Sequence, residues 1–151
     1  MDLSFKGQEH IAAGKPQVWS FINDPAKVGS CLPDVLEVQV TSPQAFDATV
    51  KVAVGPVSGK FKFKVALQPD PSGNVMGLRI SGGGFGSVVD LTAGADIKDN
   101  GDGTTTLDWH GDASMRGPVA TVGGRVLDAQ AKRIISTTFA NVRAKVSGAA
   151  A

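Results

Sequence analysis

Several residue types that usually carry chemistry are scarce or absent in this chain of 151 residues. It contains no tyrosine, two histidines and one cysteine, Cys31. A single cysteine excludes an intramolecular disulfide and fits a reducing compartment. With so few histidines and cysteines, a metal site built from clustered ligands is not expected. The lack of tyrosine removes one common proton donor from any enzymatic site.

Long apolar segments are also missing. No apolar run approaches about 18 residues, so no membrane-spanning helix is expected. The N-terminus, MDLSFKGQEH, lacks the apolar centre of a signal peptide. The formal net charge of +1 gives no global field that would attract nucleic acid. We therefore expect a cytoplasmic protein whose contact with a membrane would be peripheral.

The composition is that of a globular domain, with 42% hydrophobic and 19% charged residues. A chain of this length buries roughly 68–70% of its unfolded surface and fits one domain. We expect that domain over residues 1–146, followed by a frayed tail of small residues at 147–151. The 19 glycines, about twice the usual share of roughly 7%, suggest tight turns and strand bends.

Alternation of apolar and polar residues predicts seven strands, the first from Leu3 to Ile11 and six more between Val35 and Met115. The clearest strand has apolar residues on one face and lysines on the other. Its two faces are Phe61, Phe63, Val65 and Leu67 against Lys60, Lys62 and Lys64. In the strand that begins near Val35, the apolar face is predicted to be Leu36, Val38 and Val40.

Helical spacing is found in two places. Pro16 suits the first turn of a short helix, and Asp24-Pro25 ends it and starts a second short helix. From Gly117-Pro118 to about Val146 apolar residues recur every three or four positions. They are Val119, Val122, Val126, Ile134, Ile135, Phe139, Val142 and Val146. Such a helix of about 28 residues would be roughly 42 Å long, weakened near its start by Gly123-Gly124.

The expected fold class is therefore α+β. Consecutive, turn-linked strands favour an antiparallel sheet of seven strands. Because one face of this sheet is apolar, the long C-terminal helix must cover it, with the two short helices placed after the first strand. Many inward positions hold Ala, Val or Gly, which favours a cavity between the curved sheet and the helix.

An ordered set of short motifs runs over nearly the whole chain. They are Pro16 to Trp19 (PQVW), Asp24-Pro25, Cys31-Leu32-Pro33, Val54 to Val57 followed by Gly59-Lys60-Phe61, Gly82 to Gly94, Gly103 to Thr106, and the helix Gly117 to Val142. In this set the sequence resembles the carbon monoxide dehydrogenase G-subunit family. That family lies within the START-like superfamily of helix-grip, polyketide cyclase/lipid transport-like proteins. One departure is Asp34, where the family often has Gly.

The resemblance implies a helix-grip fold and a partner, a molybdenum-containing carbon monoxide dehydrogenase or a related hydroxylase. It further implies recruitment of that enzyme to the inner face of the cell membrane. The implied ligand is a lipid or a respiratory quinone, menaquinone or ubiquinone, with no covalently bound cofactor. The carrier would bring quinone to the enzyme and return quinol to the membrane, which is a role in electron transfer and not in catalysis.

The apolar side chains of the sheet and the helix are the candidate cavity wall, and each is also a candidate for ordinary core. The chosen set is Leu32, Phe46, Val50, Val52, Phe61, Phe63, Leu78, Ile80, Leu91, Leu107, Trp109, Val119, Val122, Gly123, Val126 and Ile134. An opening is expected near Leu32 and the segment from Val119 to Gly124. Trp109 and Phe46 are large enough to stack on a planar ring or to fill the space themselves.

Four lysines, Lys51, Lys60, Lys62 and Lys64, are predicted to point outward from neighbouring strands. They form either a solubilising face or a docking patch for an acidic partner or an anionic lipid surface. The face has no interleaved aromatic residues, so binding of single-stranded nucleic acid is not expected.

The remaining polar or reactive residues are weaker candidates for a functional role. His10 and His110 are expected on polar strand faces, and they would neighbour each other if the first and last strands pair. Cys31 is expected to be a small buried residue. Glu9 shares the strand parity of Phe5 and Ile11, so it is either an inward carboxylate or a rim residue.

Two further interpretations stay open beside the carrier. The chain could be an adaptor with a filled interior, for membrane recruitment or assembly of the dehydrogenase. It could also be an enzyme of the cyclase or aromatase type, which would need polar groups inside the cavity. The glycine-rich stretch Gly82 to Gly86 is interpreted as a bend, because no helix follows it as in a phosphate-binding loop.

Overall fold

The computed structural model describes the backbone of residues 1–54, 57–84 and 86–150. Its strands are β1 (Asp2–Ile11), β2 (Val35–Ser42), β3 (Ala45–Val54), β4 (Val57–Pro69), β5 (Val75–Gly84), β6 (Ser87–Asp99) and β7 (Thr105–Arg116). Its helices are α1 (Lys15–Ile22), α2 (Pro25–Ser30), a 3-10 helix (Pro118–Val122) and α3 (Gly124–Ala150). Gly55 and Pro56 of the Val54 to Val57 motif, Phe85 of the predicted bend and residue 151 of the predicted tail lie outside the described residues.

The described strands form one curved antiparallel sheet of seven strands in the order β1-β7-β6-β5-β4-β3-β2. Strands β2 to β7 follow one another as neighbours, and β1 joins the far side of β7. The sheet therefore has β1 at one edge and β2 at the other. Helix α3 packs across the concave face, with α1 and α2 at one end. The predicted α+β helix-grip architecture is confirmed.

Local chemistry explains where the short helices begin. The Asp24 carboxylate caps α2 by accepting hydrogen bonds from the backbone N–H groups of Ala26 and Lys27, at 3.0 and 3.3 Å. Pro25 occupies the first turn, where its missing N–H costs nothing. Gly29 then lets α2 approach the sheet, since a Cβ there would lie 2.7 Å from a Val38 methyl carbon.

Strand β2 differs from the prediction. Its pairing with β3 shifts between Val35 and Glu37 and again between Val40 and Ser42. A shift of one residue turns the following side chains to the opposite face. Leu36, predicted to face inward, lies at the first shift and is 54% exposed. Val40, also predicted to face inward, keeps the register of Val38, opposite Phe46, and is 48% exposed on this edge strand. Val38 packs on the core as predicted, and Val35, which was not on the predicted face, packs there too.

The start of the last helix also differs. The predicted continuous helix is interrupted at Gly123, where φ is +107°, so the 3-10 helix ends and α3 begins at Gly124. The interruption changes which residues of α3 face the sheet. Leu127 is 4% exposed, whereas Val126, predicted to be on the buried stripe, is 47% exposed. The backbone of α3 runs through Ala150, and the boundary of the domain at residue 146 stays a prediction.

The core is divided unequally along α3. The largest cluster packs the C-terminal half of α3 against α1 and the sheet, and it contains Ile11, Val18, Phe21, Cys31, Ile97, Leu107, Val142 and Val146 among others. A second cluster holds Phe46, Ala48 and Val65, and a third is Val119 with Leu127. The N-terminal half of α3 thus contacts the sheet through few buried residues.

Candidate functional site

A cavity of about 240 Å³ lies between the N-terminal half of α3 and the apolar face of the sheet. Its wall is Phe5, Leu32, Pro33, Asp34, Ala48, Val50, Lys51, Val52, Phe61, Phe63, Val65, Ile80, Val89, Leu91, Ala113, Met115, Val119, Leu127, Gln130, Ala131, Ile134 and Ile135. Only Asp34, Lys51 and Gln130 among these are polar. An apolar pocket with a few polar groups is typical of a small-molecule site.

Most of the predicted wall residues do surround this space. Nine of them line it: Leu32, Val50, Val52, Phe61, Phe63, Ile80, Leu91, Val119 and Ile134. Strand alternation places those of the sheet on the face that α3 covers. Whether they touch a ligand stays a prediction.

Seven predicted wall residues lie elsewhere. Phe46 and Leu107 are 1% and 2% exposed and belong to packed core clusters. Leu78 packs against both of those clusters. These three side chains lie on the expected face of the sheet, but at positions where core residues fill the space.

The other four predicted wall residues lie outside the cavity for separate reasons. Trp109 stacks on Phe139 of α3, with ring centroids 5.5 Å apart, so its face is already occupied. Val122 packs against the Val119–Leu127 cluster. Gly123 is the interruption before α3, and Val126 turns to solvent because of it.

Several wall residues were not selected from the sequence. Phe5, Ala48, Val65, Val89, Ala113 and Met115 have the inward parity of their strands. That signal was available for all six, but parity alone does not separate cavity wall from core. Ile135 was on the predicted apolar stripe of the last helix but was not selected for the wall, whereas Leu127, Gln130 and Ala131 were not on that stripe.

The rim of the cavity is organised by Asp34. Its φ is +56°, a left-handed conformation that an aspartate tolerates better than most residues. Glycine adopts this conformation without a steric penalty. The Asp34 carbonyl accepts a hydrogen bond from the Lys51 backbone N–H at 2.9 Å, and its carboxylate pairs with Arg133 of α3 at 3.3 Å. One residue thus ties the segment after α2 to β3 and to α3.

The four lysines are exposed on β3 and β4, as predicted. Lys51 lies directly opposite Lys60, Lys62 is opposite Thr49, and Lys64 is opposite Asp47. Within the described part of the chain none of these lysines forms an ion pair. We call this set the lysine face. Its use in docking stays a prediction.

The remaining candidates have structural roles. His10 Nδ1 lies 3.0 Å from Thr106 Oγ1, whereas His110 is opposite Lys6. The two histidines are therefore four residues apart along the β1–β7 pair, and the neighbouring patch considered for them is wrong. Glu9 faces inward and forms an ion pair with Arg143 of α3. Cys31 is buried, and this burial raises the pKa of its thiol.

Two kinds of feature are absent from the described residues. No group of three or more His, Cys, Asp or Glu side chains there is arranged to hold a metal ion. Over the same residues, none of the helices combines the length and apolar character needed to span a membrane.

Known structures share this fold. A conserved protein from Geobacillus kaustophilus superposes with a TM-score of 0.87 at 22% identity, covering 97% of this chain and 96% of that one. A START superfamily protein from Mycobacterium smegmatis gives 0.74 at 14% identity, covering 96% and 97%. The ZhuI aromatase/cyclase from Streptomyces sp. R1128 gives 0.70 at 15% identity, covering 97% and 94%. At these identities the likeness shows the fold alone.

The sequence itself gives the family. A search of the curated proteins gave no match. The family model for the G-subunit of carbon monoxide dehydrogenase, CoxG, matches residues 7–147. This range includes strands β2 to β7, the part of β1 after Lys6 and nearly all of α3. The chain belongs to the CoxG family, the carbon monoxide dehydrogenase G-subunit family.

Proposed function

We propose that this protein is a carrier of a hydrophobic ligand, a respiratory quinone such as menaquinone or ubiquinone, for a molybdenum-containing carbon monoxide dehydrogenase. The observation that carries the proposal is the apolar cavity under the N-terminal half of α3. A core that leaves such a space unfilled loses dispersion contacts on every wall. A bound apolar molecule would restore those contacts.

The size of the cavity indicates how a quinone would bind. Its volume of about 240 Å³ is below the range of roughly 300–1,000 Å³ for sites that enclose a drug-sized ligand. The ring would be enclosed, and an isoprenoid tail would have to leave through the rim near Leu32 and Ile134. Ile134 is 38% exposed there, which gives the tail an apolar surface to follow.

The polar residues of the wall argue against catalysis. Asp34 and Lys51 are exposed at the rim, and the Asp34 carboxylate is engaged by Arg133. The third, Gln130, carries an amide, which neither gives nor takes a proton at neutral pH. A cyclase would need a positioned acid or base inside. Carriage of an unchanged ring therefore fits the wall better than its conversion.

Membership of the CoxG family supports the dehydrogenase as the partner. The lysine face is the surface we assign to peripheral docking at the membrane. Anionic lipid attracts basic residues with about 1 kcal/mol per residue near the surface. Lys51 belongs both to this face and to the cavity wall, so a docked membrane would lie close to the rim.

The carrier is tested by solvent extraction of the purified protein, followed by mass spectrometry and ultraviolet spectroscopy. We expect an isoprenoid quinone near one equivalent per chain, or uptake of added menaquinone to that level. A protein that is purified empty and takes up no added menaquinone would overturn the proposal and favour the adaptor without a ligand.

The lysine face is tested by two matched variants. Lys60→Glu replaces one member of the like-charged pair with Lys51, so it should stabilise the fold by about 0.2–1 kcal/mol. Lys64→Glu puts a second carboxylate opposite Asp47 and should destabilise it by a similar amount. Both variants should weaken sedimentation with anionic vesicles. If sedimentation with the vesicles weakens only for the destabilised variant Lys64→Glu and not for Lys60→Glu, the lysine face is only a solubilising surface.

A further inference from the structure

A second space lies beside the cavity, along the edge strand β1. This groove of about 450 Å³ is open to solvent between β1, β7 and α3. It is lined by Ser4, Phe5, Lys6, Glu9, Trp109, Asp128, Lys132, Ile135 and Ser136. Strand alternation puts Ser4 and Lys6 on the far face of the sheet, so the side chains facing α3 are Phe5, Glu9 and Trp109.

The groove and the cavity are adjacent. Phe5 and Ile135 line both spaces, one from the sheet and one from α3. Phe5 is 8% exposed and Ile135 is half-buried. These two side chains form the partition between a largely apolar interior and a groove with polar walls. Because each of these side chains borders both the groove and the cavity, rotation of either one to another rotamer would connect the two spaces.

Trp109, which lines the groove, carries a hydrogen-bond donor that is not used within the described part of the protein. The indole Nε1–H of Trp109 is shielded from solvent and has no partner among the described residues. Leaving such a group unpaired costs about 1–3 kcal/mol, so it calls for an explanation. The neighbouring Glu9 carboxylate is engaged by Arg143 instead.

The position of this indole is fixed from two sides. Its ring stacks on Phe139 at 5.5 Å with an angle of 30° between the ring planes. On the other side it covers Gly7, where an added Cβ would lie 2.7 Å from the indole Cζ2. The ring is therefore held in place before any ligand arrives, and an acceptor reaches the N–H only after a side chain that shields it moves.

We infer that the groove is a second subsite for the cavity ligand, in which Trp109 Nε1–H donates to a carbonyl or hydroxyl oxygen of the ligand ring, whose polar end reaches from the cavity past Phe5 and Ile135. This rests on the proposed function, because the apolar part of the ligand occupies the cavity. The second subsite also predicts the orientation of the bound ligand. The polar end reaches the β1 edge, and the apolar tail leaves at the Asp34 rim, beside β3 and toward the opposite edge of the sheet.

The charges around the groove are consistent with a neutral acceptor. Asp128 and Lys132 pair with each other at 3.0 Å, and Glu9 pairs with Arg143. Both pairs are neutral overall, and the remaining charge, Lys6, lies on the far face of the sheet, so an anion or a cation would gain little on the α3 side of the groove. A quinone or quinol oxygen, which is neutral and accepts hydrogen bonds, fits this environment.

The test follows the indole N–H signals by NMR, using menadione and 2-methylnaphthalene as probes. The two probes share a methylated bicyclic ring, but only menadione has carbonyl oxygens. The chain has two tryptophans, and Trp19→Phe assigns the Trp109 signal. Binding itself is followed by the methyl signals of Ile80 and Leu91, on the cavity wall away from the groove.

We expect both probes to shift the wall methyl signals, and only menadione to move the Trp109 indole proton downfield. Trp109→Phe keeps an aromatic ring against Phe139 and removes the donor. It should weaken menadione by about 2- to 12-fold, as expected for one net hydrogen bond, and leave 2-methylnaphthalene unchanged. Ser136→Trp, which fills the exposed side of the groove, should weaken menadione selectively, whereas Ser136→Ala should not.

The experiment distinguishes failure of the second subsite from failure of the proposed function. If both probes shift the wall methyl signals but the Trp109 signal responds equally to both or to neither, the second subsite is wrong and the cavity remains a binding site. If neither probe shifts the wall methyl signals, the proposed function fails and the subsite fails with it.

Discussion

Filling the cavity with protein should stabilise the fold and remove ligand binding together. Ala131 lies on α3 and contributes to the cavity wall. Ala131→Leu would add three carbon atoms to the space. At about 0.8 kcal/mol per buried CH₂ the upper limit is about 2.4 kcal/mol, and imperfect packing should leave about 1–2 kcal/mol. For a chain of this size the melting temperature should rise by about 2–8 °C.

The control for this variant is Ala140→Leu. Ala140 is on the same helix but exposed, so it reports the difference in helix propensity without a change in the cavity. Its effect should be within a few tenths of a kcal/mol. Unfolding by urea, followed by circular dichroism, measures both variants, and a menadione titration measures affinity. We expect Ala131→Leu to lose at least tenfold in affinity and Ala140→Leu to bind as the parent does.

Stability and affinity must therefore change in opposite directions at Ala131. If Ala131→Leu destabilises the protein by 1 kcal/mol or more, as overpacking does, the space is already filled in solution. If the variant is stabilised but binds menadione unchanged, the ligand occupies another site. Either result would refute the reasoning from the cavity.

Three further predictions concern the backbone and the buried thiol. Asp34→Ala should be about 1 kcal/mol less stable than Asp34→Gly in urea, because both lose the ion pair but only alanine resists a φ of +56°. Gly82→Ala would place a Cβ 2.0 Å from the Lys62 carbonyl oxygen, so it should cost clearly more than Gly101→Ala, which meets open space at a φ of +83°; equal costs would mean that the strands separate freely. Burial keeps the pKa of the Cys31 thiol above its ordinary value of 9.0, so the unfolded chain releases that proton first as the pH rises. The free energy of unfolding should therefore fall above pH 9, by at most about 1.4 kcal/mol per pH unit. Urea unfolding at pH 8 to 10 should show a shallower fall for Cys31→Ala, and an identical fall would place the thiol in contact with water.

Sequence periodicity was sufficient for the fold because each strand has one buried face. Phe61 and Val65 could be placed inward from alternation with the lysines alone, and they are 2% and 3% exposed. Periodicity did not predict which side chains face inward where the regular repeat of a strand or helix is interrupted. The register shifts of β2 turned Leu36 outward, and the positive φ of Gly123 changed the facing residues of α3. A glycine pair signals that a break is possible, but not by how much the helix rotates.

The cavity wall was harder to predict than the fold because wall and core residues have the same parity. What separates them is the size of the side chains that meet across the interior. Toward the C-terminal half of α3, Trp109 meets Phe139 and Leu107 joins a dense cluster, so the space closes. Toward the N-terminal half, Ala131 faces a sheet that presents Ala48 and Ala113, and the space stays open.

This difference between the two halves of α3 links stability to binding. The C-terminal half supplies most of the buried contacts, so the N-terminal half can leave its apolar face uncovered without unfolding the domain. An uncovered apolar face is unfavourable in water, and a ligand that fills it stabilises the folded state by mass action. The Gly123 interruption precedes this half of α3, and the Asp34–Arg133 ion pair joins it to the segment after α2. The proposed binding site is thus the part of the core that the side chains of this protein leave unfilled.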